Sequence, residues 1–582
     1  MQDINDEAVE SELKRAGRSH VLLSSEAITR AIYLGIGAVA ITLVFRQLQF
    51  TTASICCGDF DSYYHIRWSR LLWEGLRHGH FPPTFQWLPL TTLNPHDYVD
   101  HHLLFHILQI PFTWFGDLRL GAKIAATVFS SLAVFSCYWL IVHYRIRFTL
   151  VWLVALLACS APFLYRLNMA KAPPFAIIFM VAGIYLLFEK RYVWLAPLMF
   201  LFVWTYSLFP TLFAAAVIWT AVVAWSERRF EWRPVAWTFL GMVAGFVVNP
   251  YFPKNIRLFF EHLLIKVTLN GFTTAVGQEW YPYDSTWYFL GSCAVAFAAM
   301  ATGYIAFRWE ERHHAARPLF FLVFSTLLMI ASFRSRRFVE YWPPFAILFA
   351  AFALQPIFDG VRSYVGRLPS DVMDELSPFL DRHERPRSPD DSQTREFWTT
   401  MAAAGVALVL GVVLFFNVRE TAKTIAGDVA PDFYQKGMEW IKVNVPPGQM
   451  VFNTDWDDFP RLFYYDTTHT YVSGLDPTYL LDQNPDLSKL YESITLGKEK
   501  DPAPIIRDRF GARYIFTDRE EVHDKLYYNA IDSGWCEKVY DDDDCTILYI
   551  RDQKGTPPPP DNDDEDEDTG DQQQTDDGEG EQ

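Results

Sequence analysis

The sequence predicts a multi-pass α-helical membrane protein that carries a smaller α/β domain near its C-terminal end. Two observations support the membrane part. Hydrophobic residues make up 51% and aromatic residues 16% of the 582 residues, and long apolar runs recur over most of the chain. A third observation supports the second domain, because the segment 419–552 is polar and combines helix-like with strand-like patterns. The membrane domain is expected to cover 28–418.

The membrane domain is predicted to contain about eleven spanning helices, since a helix needs roughly 17–25 apolar residues to cross a bilayer. The apolar runs lie at 28–44, 120–144, 149–165, 173–188, 192–209, 211–225, 234–250, 287–307, 318–333, 342–358 and 398–416. Several of these runs are short or contain proline, and the pair 173–188 and 192–209 also suits a re-entrant hairpin. Two long polar loops, 49–119 and 251–286, interrupt the series.

Charge in the short loops predicts the orientation in a cell (plasma or inner) membrane. The polar N-terminal segment 1–27 carries Lys14, Arg15 and Arg18 and lacks the pattern of a cleaved signal peptide. When this segment is cytoplasmic, the short basic loops also lie inside, and the loops rich in acids and aromatics lie outside. The same alternation makes the segment 419–552 an extracytoplasmic domain.

The C-terminal domain is predicted from its own local patterns. PDFYQKGMEWIKVNV suits an amphipathic helix that PPG ends, QMVFNT suits a short buried strand, and PIIRDRFGARYIFTDRE suits helix, glycine turn and strand. This order is typical of a small α/β domain. Cys536 and Cys545 flank EKVYDDDD, which predicts a hairpin whose arms a disulfide could join in an oxidising compartment.

The end of the chain, 553–582, is an acidic tail that is predicted to be disordered. Most of it reads DNDDEDEDTGDQQQTDDGEGEQ, which has no apolar residue to bury. Much of the net charge of −18 lies in this tail. The rest of the chain is close to neutral, so the composition gives no reason to expect a nucleic-acid partner.

Ionisable and aromatic residues crowd the outer loops, so any chemistry is expected on the outer face. The first long loop contains GDFDSYYHIRW, in which Asp59 and Asp61 precede Tyr63, Tyr64 and Trp68. One interpretation is a helix that lies at the membrane interface, with Asp61 as its N-cap and the aromatics in the interfacial belt. The second interpretation is that a carboxylate beside an apolar groove holds a metal ion or an acceptor nucleophile.

Three further clusters follow along the chain, each with a simple structural explanation beside the functional one. Asp100 and His101, in NPHDYVDHH, are residue types that ligate metals but also occur as solvated loop residues. Glu279 stands in the second long loop, where a glutamate is usually solvated. Arg337, in FRSRRFVEY, either anchors a helix end at the interface or grips a lipid-linked phosphate through two hydrogen bonds.

The order of the clusters is more informative than any one of them. An acidic loop ends in Asp-x-Tyr-Tyr-His-x-Arg, a later loop carries a Glu, an Arg-Phe-x-x-Tyr opens a late span, and NTDWDDFP follows a strand. In this order, from about Ile28 to Tyr549, the chain resembles the catalytic subunits of oligosaccharyltransferases. The likeness is greatest to the archaeal and bacterial single-chain enzymes of the GT-C membrane glycosyltransferase class.

This resemblance implies a GT-C-like fold and assigns roles to particular residues. Asp61 matches the family's first-loop aspartate, which contacts the metal and the acceptor. Glu279 matches the catalytic glutamate of the external loop, and Arg337 matches the arginine that faces the donor pyrophosphate. Trp456 and Asp457 are what this sequence keeps of the Trp-Trp-Asp-Tyr-Gly motif, which binds the acceptor sequon.

The chain departs from the family where a second acidic motif is expected. YRLNMAKAPP stands there, with Lys171 and no acid. We therefore expect Lys171 to take over part of the metal's role by stabilising the leaving phosphate of the donor. A divalent metal, Mn²⁺ or Mg²⁺, is an open expectation, with Asp61 as its first ligand and Asp59, Asp100 and His101 as further candidates.

The function implied is transfer of a sugar or oligosaccharide from a polyprenyl-linked donor to an acceptor, expected to be a protein or peptide, at the extracytoplasmic face. A competing interpretation is a GT-C enzyme that uses a polyprenyl-monophosphate sugar and a lipid or glycan acceptor. Outside this enzyme class, the chain could be a transporter or a non-catalytic membrane scaffold. A transporter would carry ionisable residues at the depth of the bilayer midplane, whereas the predicted spans here hold few charges.

Overall fold

The computed structural model describes residues 3–57, 60–260, 276–308, 316–363, 389–427 and 429–556. Asp59 and the acidic tail from residue 557 onward lie outside these ranges, so the expectations for them remain predictions. Apolar helices form the first part of the described chain, and a five-stranded sheet with flanking helices forms the last part.

The helices of the first part follow the predicted apolar runs. Their bounds are α1 Asp3–Gln49, α2 Asp61–Arg77, α3 Leu103–Gln109, α4 Leu118–His143, α5 Thr149–Ala158, α6 Ala161–Leu167, α7 Pro173–Phe188, α8 Leu195–Thr205, α9 Pro210–Ser226, α10 Arg233–Val247, α11 Lys254–Leu258, α12 Thr286–Ser292, α13 Ala294–Ala306, α14 Ala316–Arg334, α15 Trp342–Ser363 and α16 Pro389–Ala426. Short 3-10 turns lie at Ile110–Trp114, Tyr192–Trp194, Gln278–Trp280 and Arg336–Glu340.

Some of these helices meet the length and composition that crossing a membrane requires. They are Ser25–Gln49, Leu118–His143, Ala316–Arg334 and Glu396–Ala426, and two bent helix pairs join them if each pair is counted as one span. Shorter apolar helices of 10–17 residues complete the bundle. The apolar, mainly helical character of this part is confirmed, and the count of about eleven spans stays a prediction.

Two runs that the sequence presents as continuous are broken helices. α5 and α6 meet at 78°, and α12 and α13 meet at 76°. At the first break Ser160 caps α6 by accepting a hydrogen bond from the Phe163 N–H, and Pro162 stands in the first turn, where its missing N–H costs little. Both halves are apolar, so hydropathy alone does not reveal the bend. The bend directs the end of α6 and the loop after it to the site described below.

Small residues bring two helices of the bundle into close contact. Gly241 and Gly245 lie one turn apart on α10, which packs against α8. A Cβ atom on Gly241 would lie 2.2 Å from the carbonyl oxygen of Ala196, and one on Gly245 would lie 2.9 Å from the Cβ of Val203. This spacing of small residues is the one that lets helices pack closely in membranes.

The C-terminal part is built on one mixed sheet. Its strands are β1 Met450–Asn453, β2 Thr470–Tyr471, β3 Ala512–Thr517, β4 Cys536–Asp541 and β5 Thr546–Ile550, in the order β2-β1-β3-β5-β4. β1 runs parallel to β2 and β3, and β5 runs antiparallel to β3 and β4. The flanking helices are α17 Gln435–Asn444, α18 Phe459–Tyr465, α19 Thr478–Gln483, α20 Pro485–Thr495, α21 Pro502–Ile505 and α22 Asp524–Asp532. The predicted α/β character is confirmed.

The predicted hairpin near the C-terminus is also present, but its cysteines do not meet. β4 and β5 pair with Cys536 opposite Ile550, whereas Cys545 lies at the turn, next to Thr546. Cys536 and Cys545 are therefore at opposite ends of the hairpin, and both are free and buried. The expected bridge across the arms is wrong because the register separates the two sulfurs by the length of the strands.

Aromatic side chains of α2 join the helical part to the C-terminal domain. α2 packs on α18, and the Tyr63 ring meets that of Tyr464 edge-on at 5.2 Å. The Arg461 guanidinium lies 4.4 Å from the Tyr63 ring centre. Tyr63, Tyr64 and Trp68 are 1%, 7% and 1% exposed. The interpretation of α2 as an interfacial anchor with belt aromatics is therefore wrong, because these rings are buried within the protein.

Candidate functional site

Segments that are distant in the sequence meet at one cavity between the helical part and the C-terminal domain. Its volume is about 140 Å³. The site residues predicted from the sequence that line it are Asp61, Asp100, His101, Lys171, Glu279 and Arg337. The fold thus brings together six side chains from five separate segments, which the sequence identifies one motif at a time.

Asp61 begins α2 and points its carboxylate at a lysine. The residue in the N-cap position is Phe60 rather than Asp61, and no side chain caps the helix. Oδ2 of Asp61 instead lies 2.9 Å from Nζ of Lys171, which stands between α6 and α7. The lysine that replaces the family's second acidic motif therefore neutralises the first acid directly.

Glu279 lies between two arginines on the other side of the cavity. Its carboxylate is 3.0 Å from Nη1 of Arg337 and 2.9 Å from Nη2 of Arg166. Burial alone would raise the pKa of the Glu279 carboxyl, but the charges of Arg337 and Arg166 lower it well below its ordinary value. Ser335 fixes this loop, because its hydroxyl donates to the Glu279 carbonyl oxygen at 2.8 Å. Glu279 is thus an ionised, fixed carboxylate.

Sequence reasoning missed three residues that complete this charge network. Nη2 of Arg166 also lies 2.5 Å from Oε1 of Glu340, and Nη2 of Arg337 donates to the Tyr206 hydroxyl at 2.9 Å. Arg166, Tyr206 and Glu340 all stand at the ends of apolar runs. In the linear sequence a charge at the end of such a run indicates an interface anchor, and only the bend after α5 turns Arg166 inward.

A second network joins Asp100 to α2 and α3. Nδ1 of His106 lies 2.9 and 2.8 Å from the two oxygens of Asp100, and the Trp68 indole N–H donates to Oδ2 at 2.9 Å. Nε2 of His106 lies 2.8 Å from Nδ1 of His65. Burial raises the pKa of Asp100, but the charge and hydrogen bonds of His106 and the bond from Trp68 lower it by more. Of these residues, the sequence named Asp100 as a candidate ligand and contained His65 within the Asp-x-Tyr-Tyr-His-x-Arg motif without giving it a role, and it gave no sign of His106.

The described residues of the cavity do not fit a divalent metal centre. Among the described residues, the three potential ligands whose atoms lie within 4.8 Å of one another are Asp455, Asp518 and His523, in the loops that follow β1 and β3 of the C-terminal domain. In the cavity Asp61 faces Lys171, and both oxygens of Asp100 accept hydrogen bonds. The metal roles expected for Asp61, Asp100 and His101 stay predictions, and Asp59 lies outside the described residues.

Trp456 and Asp457 lie in the loop after β1 and are not among the residues that line the cavity. Trp456 is half-buried and Asp457 is exposed. Next to them the Asp458 carboxyl is buried, and burial, followed by repulsion from Asp518 and Asp455, raises its pKa well above the ordinary value. The C-terminal domain reaches the cavity through other residues, namely Leu475, Asp476 and Tyr479.

Comparison of sequences finds no protein family and no curated protein that matches this chain. Comparison of structures finds the oligosaccharyltransferase of Archaeoglobus fulgidus, crystallised with a tethered acceptor peptide that contains an NVT sequon. The TM-score is 0.54 at 11% identity, over 89% of this chain and 74% of that one.

ArnT from Cupriavidus metallidurans is similar in two states. The apo structure gives a TM-score of 0.53 at 13% identity, over 89% of this chain and 98% of that one. The structure bound to undecaprenyl phosphate gives 0.53 at 14% identity, over 90% and 99%. At these identities the likeness is one of fold. The chain has the fold of the GT-C membrane glycosyltransferases, the class that its sequence resembles.

Proposed function

We propose that this protein is a membrane glycosyltransferase that moves a sugar or oligosaccharide from a polyprenyl-linked donor to an acceptor. The observation that carries the proposal is the meeting of Asp61, Lys171, Glu279 and Arg337 at one cavity, although they come from four separate segments. These are the residues for which the sequence resemblance implies catalytic and phosphate-binding roles. The fold shared with other GT-C glycosyltransferases supports the same conclusion.

Arg337 and Lys171 are the proposed ligands of the donor phosphate. Arginine has five N–H groups, and Arg337 directs one to Glu279 and one to Tyr206, at 3.0 and 2.9 Å. Its other N–H groups suit phosphate oxygens, which guanidinium groups bind through two parallel hydrogen bonds. Lys171 adds a compact positive charge on a flexible stem.

The lipid part of such a donor needs an apolar surface beside the phosphate site. Ala172 and Pro173 directly follow Lys171, line the cavity and lead into the apolar helix α7. The apolar wall that Ala172 and Pro173 form beside Lys171 is where the first isoprene unit of such a donor would lie. Undecaprenyl phosphate is the molecule bound in one of the compared ArnT structures, which supports a donor of this class.

The acceptor is proposed to be a protein or peptide that arrives from the extracytoplasmic side of a cell membrane. The proposed extracytoplasmic domain, 419–552, contributes Leu475, Asp476 and Tyr479 to the cavity wall, so an acceptor held by this domain has a short path to Asp61. The acceptor peptide of the compared archaeal structure supports this choice. Trp456 and Asp457 are the proposed acceptor contacts outside the cavity.

In the proposed mechanism the enzyme positions its substrates and stabilises charge. Asp61 orients the acceptor group, and Glu279 holds Arg337 in place against the donor. As the bond between the sugar and the phosphate breaks, negative charge grows on the phosphate oxygens, where Arg337 and Lys171 offset it. Fixed charges of this kind stabilise a transition state because they need no reorganisation during the reaction.

A second candidate function differs in its substrates. It is a GT-C enzyme that uses a polyprenyl-monophosphate sugar and glycosylates a lipid or a glycan. The ion pair between Asp61 and Lys171 favours it, because a lysine beside the reacting phosphate reduces the need for a metal ion. The changed sequence around Trp456 favours it as well, since that loop keeps little of the sequon-binding motif.

A panel of donors and acceptors distinguishes the two candidate functions. Purified full-length protein in lipid nanodiscs is given radiolabelled sugars on polyprenyl monophosphate or pyrophosphate, with peptides, glycans or lipids as acceptors, with and without Mn²⁺. Asp61→Asn and Arg337→Gln should each lower turnover by about 10²-fold or more. Arg334→Gln, an exposed arginine at the end of α14, serves as the matched control. Wild-type protein that consumes none of the donors would rule out the proposed function.

A further inference from the structure

A chain of three buried side chains leads from the first outer loop to the cavity. Nδ1 of His106 lies 2.8 Å from Oδ2 of Asp100, and Nε2 of the same ring lies 2.8 Å from Nδ1 of His65. Asp100, His106 and His65 are 3%, 1% and 5% exposed, and all three line the cavity. A carboxylate and two imidazoles thus follow one another at hydrogen-bond distance.

The chemistry of the two ends fixes the direction of these hydrogen bonds. An ionised carboxylate only accepts, so Nδ1 of His106 donates to Asp100. In the state that can take up a proton both rings are neutral and each carries one N–H, so Nε2 of His106 accepts and Nδ1 of His65 donates to it. The lone pair of His65 is therefore on Nε2, the one nitrogen of the two rings that is left to receive a proton.

The surrounding contacts hold this arrangement in place. The Trp68 indole N–H donates to Oδ2 of Asp100 at 2.9 Å, and the His102 backbone N–H donates to Oδ1 at 3.0 Å. The Phe105 ring meets the His65 ring edge-on at 5.3 Å. A base whose ring and tautomer are both fixed is suited to proton transfer, because little reorganisation is needed in the transition state.

We propose that Nε2 of His65 is the general base that removes the proton from the acceptor, with His106 and Asp100 as the positioning residues behind it. This inference rests on the proposed glycosyltransferase function and assigns a step within it that the sequence resemblance leaves open. The acceptor is accordingly a group with a removable proton, such as a hydroxyl or an amide, brought next to His65 by the cavity.

The step balances in atoms and charge. As the acceptor atom bonds to the anomeric carbon, its proton passes to Nε2 of His65. The bond from the anomeric carbon to the phosphate oxygen breaks, and its electron pair leaves with the phosphate, beside Arg337 and Lys171. The Nδ1 proton of His65 shifts to Nε2 of His106, and the imidazolium so formed rests against Asp100. No oxidant or reductant takes part.

Other groups in the cavity are less suited to this role. Asp61 and Glu279 each form an ion pair at 2.9–3.0 Å, with Lys171 and Arg337, and a proton taken up by either carboxylate would break that pair. Nε2 of His102 is buried without a hydrogen-bond partner among the described residues, so an acceptor has little access to it. His101 lines the cavity and packs on the His102 ring at 4.0 Å, so it is the rival base that the experiment must include.

The test uses Asp100→Asn in the full-length protein, with the polyprenyl-linked sugar that the donor panel identifies. An asparagine amide donates to Nδ1 of His106, so the proton of that ring moves to Nε2 and the His65 lone pair turns to Nδ1. We expect kcat to fall by about 10²–10⁴-fold, as it does when a catalytic histidine is held in the wrong tautomer. KM for the donor and the Kd of undecaprenyl phosphate should change by less than about threefold.

Three further variants accompany it, and a fourth, His101→Gln, tests the rival base. His65→Gln should lose kcat to the same extent, and His78→Gln, an exposed histidine at the end of α2, should keep it. Gel filtration and the thermal midpoint show which variants are folded. Asp100→Glu keeps a carboxylate behind His106 and should retain more of kcat than Asp100→Asn does. A purely structural role for Asp100 does not predict this difference.

The outcomes separate this inference from the proposed function. If folded Asp100→Asn or His65→Gln keeps kcat within about threefold of the wild type, or changes only by a rise in KM, His65 is not the base. The glycosyltransferase function still stands in that case. If only His101→Gln lowers kcat, the base is His101 and the inference is overturned. If the wild type transfers no sugar from any donor, both fall together.

Discussion

The buried guanidinium of Arg166 allows a quantitative test of what holds the cavity together. Its Nη2 atom lies 2.9 Å from Glu279 and 2.5 Å from Glu340. The Glu340 side chain is 2% exposed, and its Oε2 atom has no hydrogen-bond partner among the described residues. Arg166→Met removes the cation and leaves the Glu340 charge buried, so the free energy of unfolding should fall by about 3–5 kcal/mol.

A double variant separates the charge from the packing. Arg166→Met combined with Glu340→Leu removes the buried pair, while Glu279 keeps Arg337 at 3.0 Å. Since apolar groups often replace a buried ion pair at little cost, stability should return to within about 1–2 kcal/mol of the wild type. Arg145→Met is the matched control, because its pair with Glu26 is exposed and should contribute at most about 1 kcal/mol.

Unfolding by denaturant in detergent, followed by tryptophan fluorescence, gives the free energies of the wild type, the single variants Arg166→Met and Glu340→Leu, and the double variant. The double-mutant cycle then gives the coupling between Arg166 and Glu340. The reasoning is refuted if Arg166→Met alone costs less than about 1 kcal/mol, because the Glu340 charge would then be compensated by another group. It is refuted equally if the double variant is no more stable than the single one.

Three further predictions concern other parts of the protein. Transfer activity should survive EDTA and be lost in Lys171→Ala; inhibition by EDTA that Mn²⁺ reverses would contradict the role of Lys171. Burial lowers the pKa of His523 and raises that of Asp518, but their bond outweighs both effects, so the His523 pKa is raised and the Asp518 pKa is lowered. The thermal midpoint should therefore fall as the pH rises through the raised histidine pKa, above about 6.5, and His523→Gln should flatten that fall. Cys536 and Cys545 should each take up one alkylating group after unfolding without reductant, and a mass that shows a bridge between them would contradict the register of the hairpin.

Local sequence patterns are sufficient to predict those elements that interactions between nearby residues determine. The strand QMVFNT, the helix before PPG and the turn at Gly511, whose φ is +74°, are all present, because periodicity and backbone preference act over a few residues. The cavity is predictable in part, since Asp61, Glu279 and Arg337 lie in motifs and the structure brings all three to it. The bends after α5 and α12 are not predictable in this way, because an apolar run has the same hydropathy whether it is straight or broken.

The sequence by itself predicted the fold class: apolar runs indicate a membrane domain, the α/β pattern indicates a second domain, and the order of motifs resembles that of the GT-C glycosyltransferases. Tertiary structure alone decided which charges meet. Arg166 faces Glu279 and Glu340, Lys171 faces Asp61, and His65 contacts His106, over separations from 41 to 174 residues along the chain. Such partners carry no signal in the linear sequence, because electrostatic pairing depends on distance in space, and only helix bends and packing set that distance.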